Sequence, residues 1–577
     1  MAAVACTGIL GDFDKTAGLP AAGDDSSSPE GSAPIDATAD GEAGATVLSG
    51  DASGGADRDA RPIVDASLDG DAAVDGPPSD SAGEAAVDAA IDAPAGGFSF
   101  VAAPRAFVHA NGTTSVTVTL QRGAGFTAPV TVTPTGLPAG ITSTPVVVAA
   151  STGTLVFTGN GTTAIGTAFV VTLAGGGGSA TATTTLSAIV SGVSGSLDTT
   201  YPASGLFSAG WGTIRNCFVQ PDGKVVLVGQ FAPNGRLRSV VVRLTVDGAI
   251  DTTFAPPAAT FNTSGGDAGE GDIGLAGALQ PDGNIVVASL TSGTTRVSRY
   301  LTTGAYDSSF QGQGWVTSPT VTLTDPGPAA PVMFVLQPNG DIIIGQGGPS
   351  AGALQRWRPD GTPDPSIGMV GTYGFTTVTP NSAVVLGPSD LSLAVGPDNA
   401  LYVMGTGALP SGFSATFLMK LLSTTLTADT TYGTQGSVAV RTFYLAGPSE
   451  IVQGAALFPH SSPPGLPATG STFFGFDTFD ADGTNHMILM PAGAGVDPMT
   501  TSTTIGTDAA GNILLAGGAL SLARFTPSRT LDTTFAGQGG ETIAGVTGTP
   551  VCITGTSEGT TLVGVTDATR PVLRFWP

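Results

Sequence analysis

The stretch QPDGKVVLVG, Gln220 to Gly229, recurs as QPDGNIVVAS from Gln280, as QPNGDIIIGQ from Gln337 and as GPDNALYVMG from Gly396. Each copy sets a turn between two apolar runs. Pro221 presets its φ, Asp222 can accept from nearby backbone N–H groups, and Gly223 supplies the positive φ that bends the chain back. In the first unit a third run, VVVRL, leads to a second turn at Asp247-Gly248 and then to IDTTF, ending at Phe254. The expected unit is four antiparallel strands, with IDTTF in the fourth, Asp251 closing an Asx turn and Phe254 anchoring the strand end.

Val225 to Val228 are apolar at consecutive positions rather than at alternate ones, which requires burial on both faces of the sheet. A single unit cannot hide both, so units must stack, and a ring of units lets each cover its neighbours. The first-turn glycine or its substitute falls at Gly223, Gly283, Gly340, Asn399, a degenerate place near Pro459, Gly511 and Gly559, at intervals of about 60 residues or fewer. A second marker recurs at Asp198 (LDTTY), Asp251, Asp307 (YDSSF), Asp364 (PDPSI), Asp429 (ADTTY) and Asp532 (LDTTF). About seven units predict a seven-bladed β-propeller. The marker at Gly195–Tyr201 precedes the first hairpin, whereas the final PVLRFWP matches only the third strand of a unit. The early piece is therefore expected to complete the last blade and leave the ring without a free edge.

This pattern resembles the bacterial delta-60 repeat family, in which a QPDGK hairpin is paired with an RL-x-x-DG-x-x-D-x-x-F segment. The resemblance spans Gly195 to Pro577 and is strongest at Gln220–Phe254, Gln280–Phe310 and Gly511–Phe535. It implies a propeller and a surface or secreted setting. It carries over no catalytic residue.

Upstream of the repeats, SVTVTL (Ser115–Leu120) alternates with period two, and strand-like pieces follow at 128–133, 144–149, 154–159, 167–173 and 180–190. About seven short strands punctuated by Gly and Pro predict an immunoglobulin-like β-sandwich over 98–191, and PVTVTPTGLPAGIT from Pro129 resembles a bacterial Ig-like family with a GLPAG turn. No cysteine lies inside it. The domain is expected to be a spacer.

Residues 15–97 form an acidic Ala/Asp/Gly/Ser-rich linker without one aromatic residue, too poor in apolar area to offset the entropy of ordering. From Asp14 to Gly97 there are 18 Asp or Glu against Lys15, Arg58 and Arg61, so most of the formal charge of −25 resides there. Such a chain repels nucleic acid and anionic lipid. Residues 1–14 begin MAAVAC, which resembles the tail of a lipoprotein signal with Cys6 as the lipidation site, although the apolar leader is shorter than such a signal needs. Thr7 after Cys6 points, on the same resemblance, to the outer membrane. No apolar run is long enough to span a bilayer as a helix.

Motifs with chemistry are sparse. GPSAG around Ser350 fits a nucleophile elbow, but the segment after it reads as a strand rather than a helix, so Ser350 is expected in a hairpin loop. DADGTN offers Asp480 and Asp482, with Asp477 nearby, as weak calcium candidates; aligned with TVDGAI, Asp482-Gly483 is the repeat's second turn. The three histidines, His109, His460 and His486, form no metal or acid–base motif. No catalytic residue, cofactor or further metal site is assigned.

Cys217 and Cys552 both fall on the first, innermost strand of their units, and ring closure makes the first and last units neighbours. In an exported protein this invites a disulfide across the seam. The alternative is two buried thiols, if the strands hold the Cα atoms beyond bridging distance. The expected whole is an all-β chain with an immunoglobulin-like sandwich before a propeller at 192–577. Its expected role is that of a monomeric, non-enzymatic outer-membrane lipoprotein or extracellular platform for a protein or carbohydrate ligand at a mouth of the channel. A carboxylate-dependent hydrolase or lyase at that mouth, and a purely structural envelope component, are the rival readings.

Overall fold

The computed structural model describes residues 93–577 except 102–104, 202–212, 232–237, 257–272, 324–331, 347–351, 369–370, 376–377, 380–381, 384, 397, 409–413, 434–435, 442–443, 446–449, 453–454, 462–475, 481, 483–486, 490–501, 519, 547 and 568–570. Cys6, the acidic linker up to residue 92, Ser350 and His486 therefore lie outside the described residues.

Nine strands come first: β1 Phe98–Phe100, β2 Ala106–His109, β3 Asn111–Arg122, β4 Val130–Thr135, β5 Ile141–Ser143, β6 Val146–Val148, β7 Thr152–Asn160, β8 Ala168–Gly177 and β9 Ala180–Ser191. They form a four-stranded sheet in the order β1-β3-β7-β5 and a five-stranded sheet in the order β2-β9-β8-β4-β6. Alternation sets the faces. In β7, Leu155 and Phe157 are fully buried while Val156 between them is exposed. Leu155 and Phe157 share one core with Val130, Val132 and Leu173 of the other sheet. The count exceeds the expected seven because β1, β2 and β5, at three or four residues each, are too short to display a period.

Among the described residues seven larger sheets follow in chain order, with one two-stranded ribbon between the third and fourth. Their first strands are Thr213–Val219, Ile273–Leu279, Phe334–Leu336, Val385–Val395, Glu450–Val452, Ser502–Thr507 and Pro550–Gly555. Each of these strands touches the next, and Pro550–Gly555 returns to Thr213–Val219. Sheets whose first strands circle an axis in this way make a β-propeller. Val225 to Val228 are all buried, as their unbroken apolar run requires. Val225 and Leu227 pack towards the seventh sheet, in a cluster with Val551 and Leu562, whereas Val226 and Val228 pack towards the second, with Ile285 and Val287.

Two expectations need correcting. The D-x-x-F segment is not the fourth strand. Ile250 makes one bridge back to Leu244, and residues 251–254 then turn away. Where a fourth strand is described it comes later, at Trp315–Thr317, Thr372–Phe375, Ser437–Arg441 and Gly540–Thr542, and the fifth sheet, whose sequence lacks that segment, ends on Met487–Leu489. The cause is Asp251 itself, whose Oδ1 accepts from Thr253 N at 3.0 Å and Thr253 Oγ1 at 2.5 Å and so curls the backbone out of the ladder. The fifth hairpin turn is not near Pro459 either. Pro459 pairs with Phe476 inside the strand Ala455–Ser461, and the connection from Glu450–Val452 falls at 453–454, outside the described residues. Elsewhere the first-turn positions carry positive φ at Gly223, Gly283, Gly340, Gly511 and Gly559, and Asn399 takes 63°, a conformation Asn tolerates better than most side chains.

The segment before the first hairpin closes the ring. Gly195 N donates to Trp576 O at 2.8 Å, Trp576 N to Ser196 O at 3.0 Å and Asp198 N to Arg574 O at 2.7 Å, around a bridge between Leu197 and Phe575. Leu197 thus stands to Phe575 as Ile250 stands to Leu244.

Candidate functional site

The second marker is an ion-pair module as well as a turn. Asp198, Asp307, Asp364, Asp429 and Asp532 repeat the bonding of Asp251, each accepting from the N–H and hydroxyl of the Thr or Ser two residues on. Each also meets a cation from a third strand. Arg243 Nε lies 2.8 Å from Asp251, Arg299 Nη2 2.6 Å from Asp307, Arg356 Nη2 2.5 Å from Asp364, Arg524 Nε 2.8 Å from Asp532 and Lys420 Nζ 3.6 Å from Asp429. The last strand supplies Arg574, with Nη2 2.6 Å from Asp198. These guanidinium groups also lie over the aromatic side chain of the same turn, at 4.7 Å for Phe254, 5.1 Å for Phe310, 4.7 Å for Phe535 and 4.5 Å for Tyr201.

Four of these cations also reach the neighbouring sheet. Arg243 Nη1 donates to Thr302 O at 2.5 Å, Arg299 Nη1 to Pro359 O at 2.6 Å, Arg356 Nη1 to Ser423 O and Nη2 to Thr424 O at 2.8 Å, and Arg574 Nη1 to Val246 O at 3.2 Å. The hairpin glutamines add to this, Gln280 Nε2 donating to Gly340 O at 3.1 Å and Gln337 Nε2 to Asn399 O at 2.9 Å. Where turn and aromatic meet, only glycine fits: a Cβ on Gly248 would come within 2.6 Å of the Tyr201 ring, at a φ of 83°.

Burial by itself would raise the Asp251 carboxyl, but the two Thr253 bonds and the Arg243 guanidinium outweigh it and hold it at about 2. The same opposition lowers Asp307, Asp364 and Asp532 from the ordinary carboxylate value. At Asp429 the Thr431 hydroxyl is the largest influence, and it too lowers the carboxyl. The repeat's own charged groups are thus engaged in joining sheet to sheet. Sequence reasoning quoted these arginines without giving them a role, although a cation eight residues before the Asp in four copies was a readable signal.

At the seam between the seventh and first sheets, Cys217 and Cys552 are joined, with Cα atoms 5.7 Å apart. The close approach has a local cause. A Cβ on Gly564 would lie 2.4 Å from Cys552 Sγ, so the glycine leaves the sulfur its room.

Beside that seam lies a cleft of about 440 Å³, lined by Arg105, Phe107, Thr114, Val116 and Thr117 of the double sheet and by Glu558 and Pro577 of the propeller. Arg105 Nη1 is 2.5 Å from Asp247 Oδ1 and its Nε is 3.9 Å from Glu558 Oε1. Burial raises the Glu558 carboxyl above its usual value against the pull of Arg105 and Arg574.

The remaining candidates disperse. Asp480 Oδ1 accepts from Arg529 Nη1 at 3.0 Å, Asp482 is exposed with its backbone O accepting from Gly433 N at 3.1 Å, and Asp477 lies on the strand Phe476–Phe479. Among the described residues no group of three His, Cys, Asp or Glu side chains is placed to hold a metal ion. His109 Nδ1 lies 3.0 Å from Gly192 O and 3.3 Å from Ser191 Oγ. The acids raised by burial, Asp341, Glu541 and Glu558, belong to the third, sixth and seventh sheets. Segments 202–212, 257–272, 324–331 and 490–501, which precede first strands in the sequence, lie outside the described residues. Among the described residues no helix is long and apolar enough to cross a membrane.

Residues 220–254 and 280–310 match the sequence profile of a β-propeller family described as a domain of unknown function, DUF5122. No curated protein matches the chain. Among solved structures it is similar to the extracellular domains 1–2 of Drosophila Semaphorin 1a at 9% identity, covering 64% of this chain and 87% of that one with a TM-score of 0.37. It is similar at 14% identity to YCF48 bound to D1 peptide, covering 64% and 95% with a TM-score of 0.35. It is similar at 11% identity to prolyl oligopeptidase B from Galerina marginata, covering 63% of this chain and 48% of that one with a TM-score of 0.35.

Proposed function

We propose that this chain is an exported, non-catalytic interaction platform: a seven-bladed propeller of delta-60-type repeats behind an immunoglobulin-like sandwich, held off a bacterial outer membrane by the acidic linker and a lipid on Cys6. The ligand is a protein or a carbohydrate, taken up at a mouth of the ring by a monomer. The observation that carries this reading is the use of the repeated charges. In the Asp–Arg modules both partners are committed to the turn and to the next sheet, so the repeat builds a stiff ring and leaves recognition to the loops. The Cys217–Cys552 bond supports an oxidising compartment.

The test presents the oxidised full chain to arrays of glycans and extended peptides, confirms hits by calorimetry, and examines the same ligands for cleavage or elimination by mass spectrometry. Saturable binding with the ligand recovered intact is the expected result. Turnover that vanishes when a single loop Asp or Glu is changed to its amide would replace this reading with the carboxylate enzyme. No saturable binding to either class would favour a structural envelope component.

A further inference from the structure

We infer that the double sheet is a clamp across the seam of the propeller, a second lock that holds the ring shut when the Cys217–Cys552 bond is absent. The seam is where the ring has its one chain discontinuity, because the latch at Gly195–Asp198 and the strand Val572–Phe575 come from distant parts of the sequence. The double sheet sits over that place and grips both sides of it. Arg105 pairs with Asp247 in the first sheet's second turn and approaches Glu558 in the seventh sheet's hairpin turn, so one guanidinium spans the two sheets.

The apolar contact is more telling. Trp576 directly follows the last strand, the position held by Leu301 and Leu422 in the second and fourth sheets, where both are exposed. At the seam this place is only 1% exposed, because Phe107 of β2 packs edge-on against Trp576 with ring centroids 5.9 Å apart and Ile189 of β9 joins them. Phe107 belongs to that three-residue cluster and not to the double sheet's own core. An aromatic residue on a half-covered strand that points its ring at another domain contributes to the joint rather than to its own fold.

The two locks act at different places. The disulfide ties the two first strands to each other, while Phe107 and Ile189 hold Trp576 after the last strand and Arg105 spans a turn of each sheet. A dithiol reductant removes only the first: two electrons and two protons pass from the dithiol to the cystine, leaving two Cys thiols and an oxidised, disulfide form of the reductant. The clamp does not depend on redox state.

Hydrogen exchange on the full chain, with and without dithiothreitol, tests this. The variants are Phe107→Ala, which removes the ring that meets Trp576, and the propeller-side double variant Asp247→Asn with Glu558→Gln, which leaves the double sheet untouched. The readout is exchange in Thr213–Val219 and Val572–Phe575, with Ile342–Gln346 of the third sheet as reference. Reduction alone and Phe107→Ala alone are each expected to raise seam exchange by no more than about threefold, and the two together by about tenfold or more without change in the third sheet, because interacting locks are non-additive. The double variant is expected to follow the same pattern with a smaller amplitude, since Asp247 is largely exposed. Seam exchange in both reduced variants equal to that of the reduced parent, with β3 and β7 still protected, would overturn the clamp. Should Phe107→Ala unfold the double sheet, the Asp247→Asn and Glu558→Gln chain decides alone, by the same comparison.

Discussion

At the scale of single residues the account rests on buried Arg–Asp pairs, such as Arg243–Asp251, whose guanidinium also donates to Thr302 O of the next sheet. Arg243 and Asp251 have side chains only 5% and 6% exposed, so removing one partner leaves the other charged and desolvated. Arg243→Met is therefore expected to destabilise the propeller by about 3 kcal/mol in chemical denaturation, well beyond a surface ion pair. A loss below about 1 kcal/mol would show that the pair contributes no more than one on the surface. Tyr201 gives the opposite expectation. Its hydroxyl is buried without a hydrogen-bond partner among the described residues and burial pushes the phenol up to about 12, whereas other copies of the turn use Phe254, Phe310 and Phe535. Tyr201→Phe should leave stability unchanged or raise it by about 1 kcal/mol, and a comparable loss would show that the hydroxyl has a role.

At the scale of elements, the aspartate turns set the acid limit of the fold. Their carboxyls sit below the ordinary value in the folded chain, reaching about 2 at Asp251, so each contributes stability that is fully present above the unfolded carboxylate value and is lost as the pH falls from there through the lowered folded value. Thermal midpoints should stay level from neutral pH to about 5 and fall steeply between about 4 and about 2. A midpoint that is level down to pH of about 2.5 would contradict the shared shift. These elements were only partly legible in the sequence. Pro, Asp and Gly in QPDG specify a turn locally, and the unbroken apolar run of Val225–Val228 specifies burial on both faces, so both were readable. IDTTF was misread as a strand because its Thr-Thr-Phe composition favours one, whereas the Asp251 side chain competes with the ladder for the backbone. The fifth turn was misplaced because that unit lacks the QPDG spelling and Pro459 resembles a turn residue while lying within a strand.

At the scale of the whole molecule, what decides the architecture is the meeting of sequence-distant pieces. Asp198 and Arg574 stand 376 residues apart and the two cysteines 335, yet repeat counting brought the first and last units together because the leftover turn and the incomplete last unit complement each other. The joint of Phe107, Ile189 and Trp576 was illegible, since no periodicity marks which strand of one domain meets which residue of another. The candidate site was the least readable part, because the charged residues that repeat are held in turns and in joints between sheets, and the loops proposed for recognition do not repeat. A crosslink enclosing so long a loop stabilises the closed ring by up to about 5 kcal/mol through the unfolded chain. The seam is tested most directly by peptide mapping of the natively folded protein without reduction. The Cys217 peptide covalently joined to the Cys552 peptide is the predicted result, and both thiols recovered free and separately alkylated would contradict the bonded seam, with its Cα atoms 5.7 Å apart.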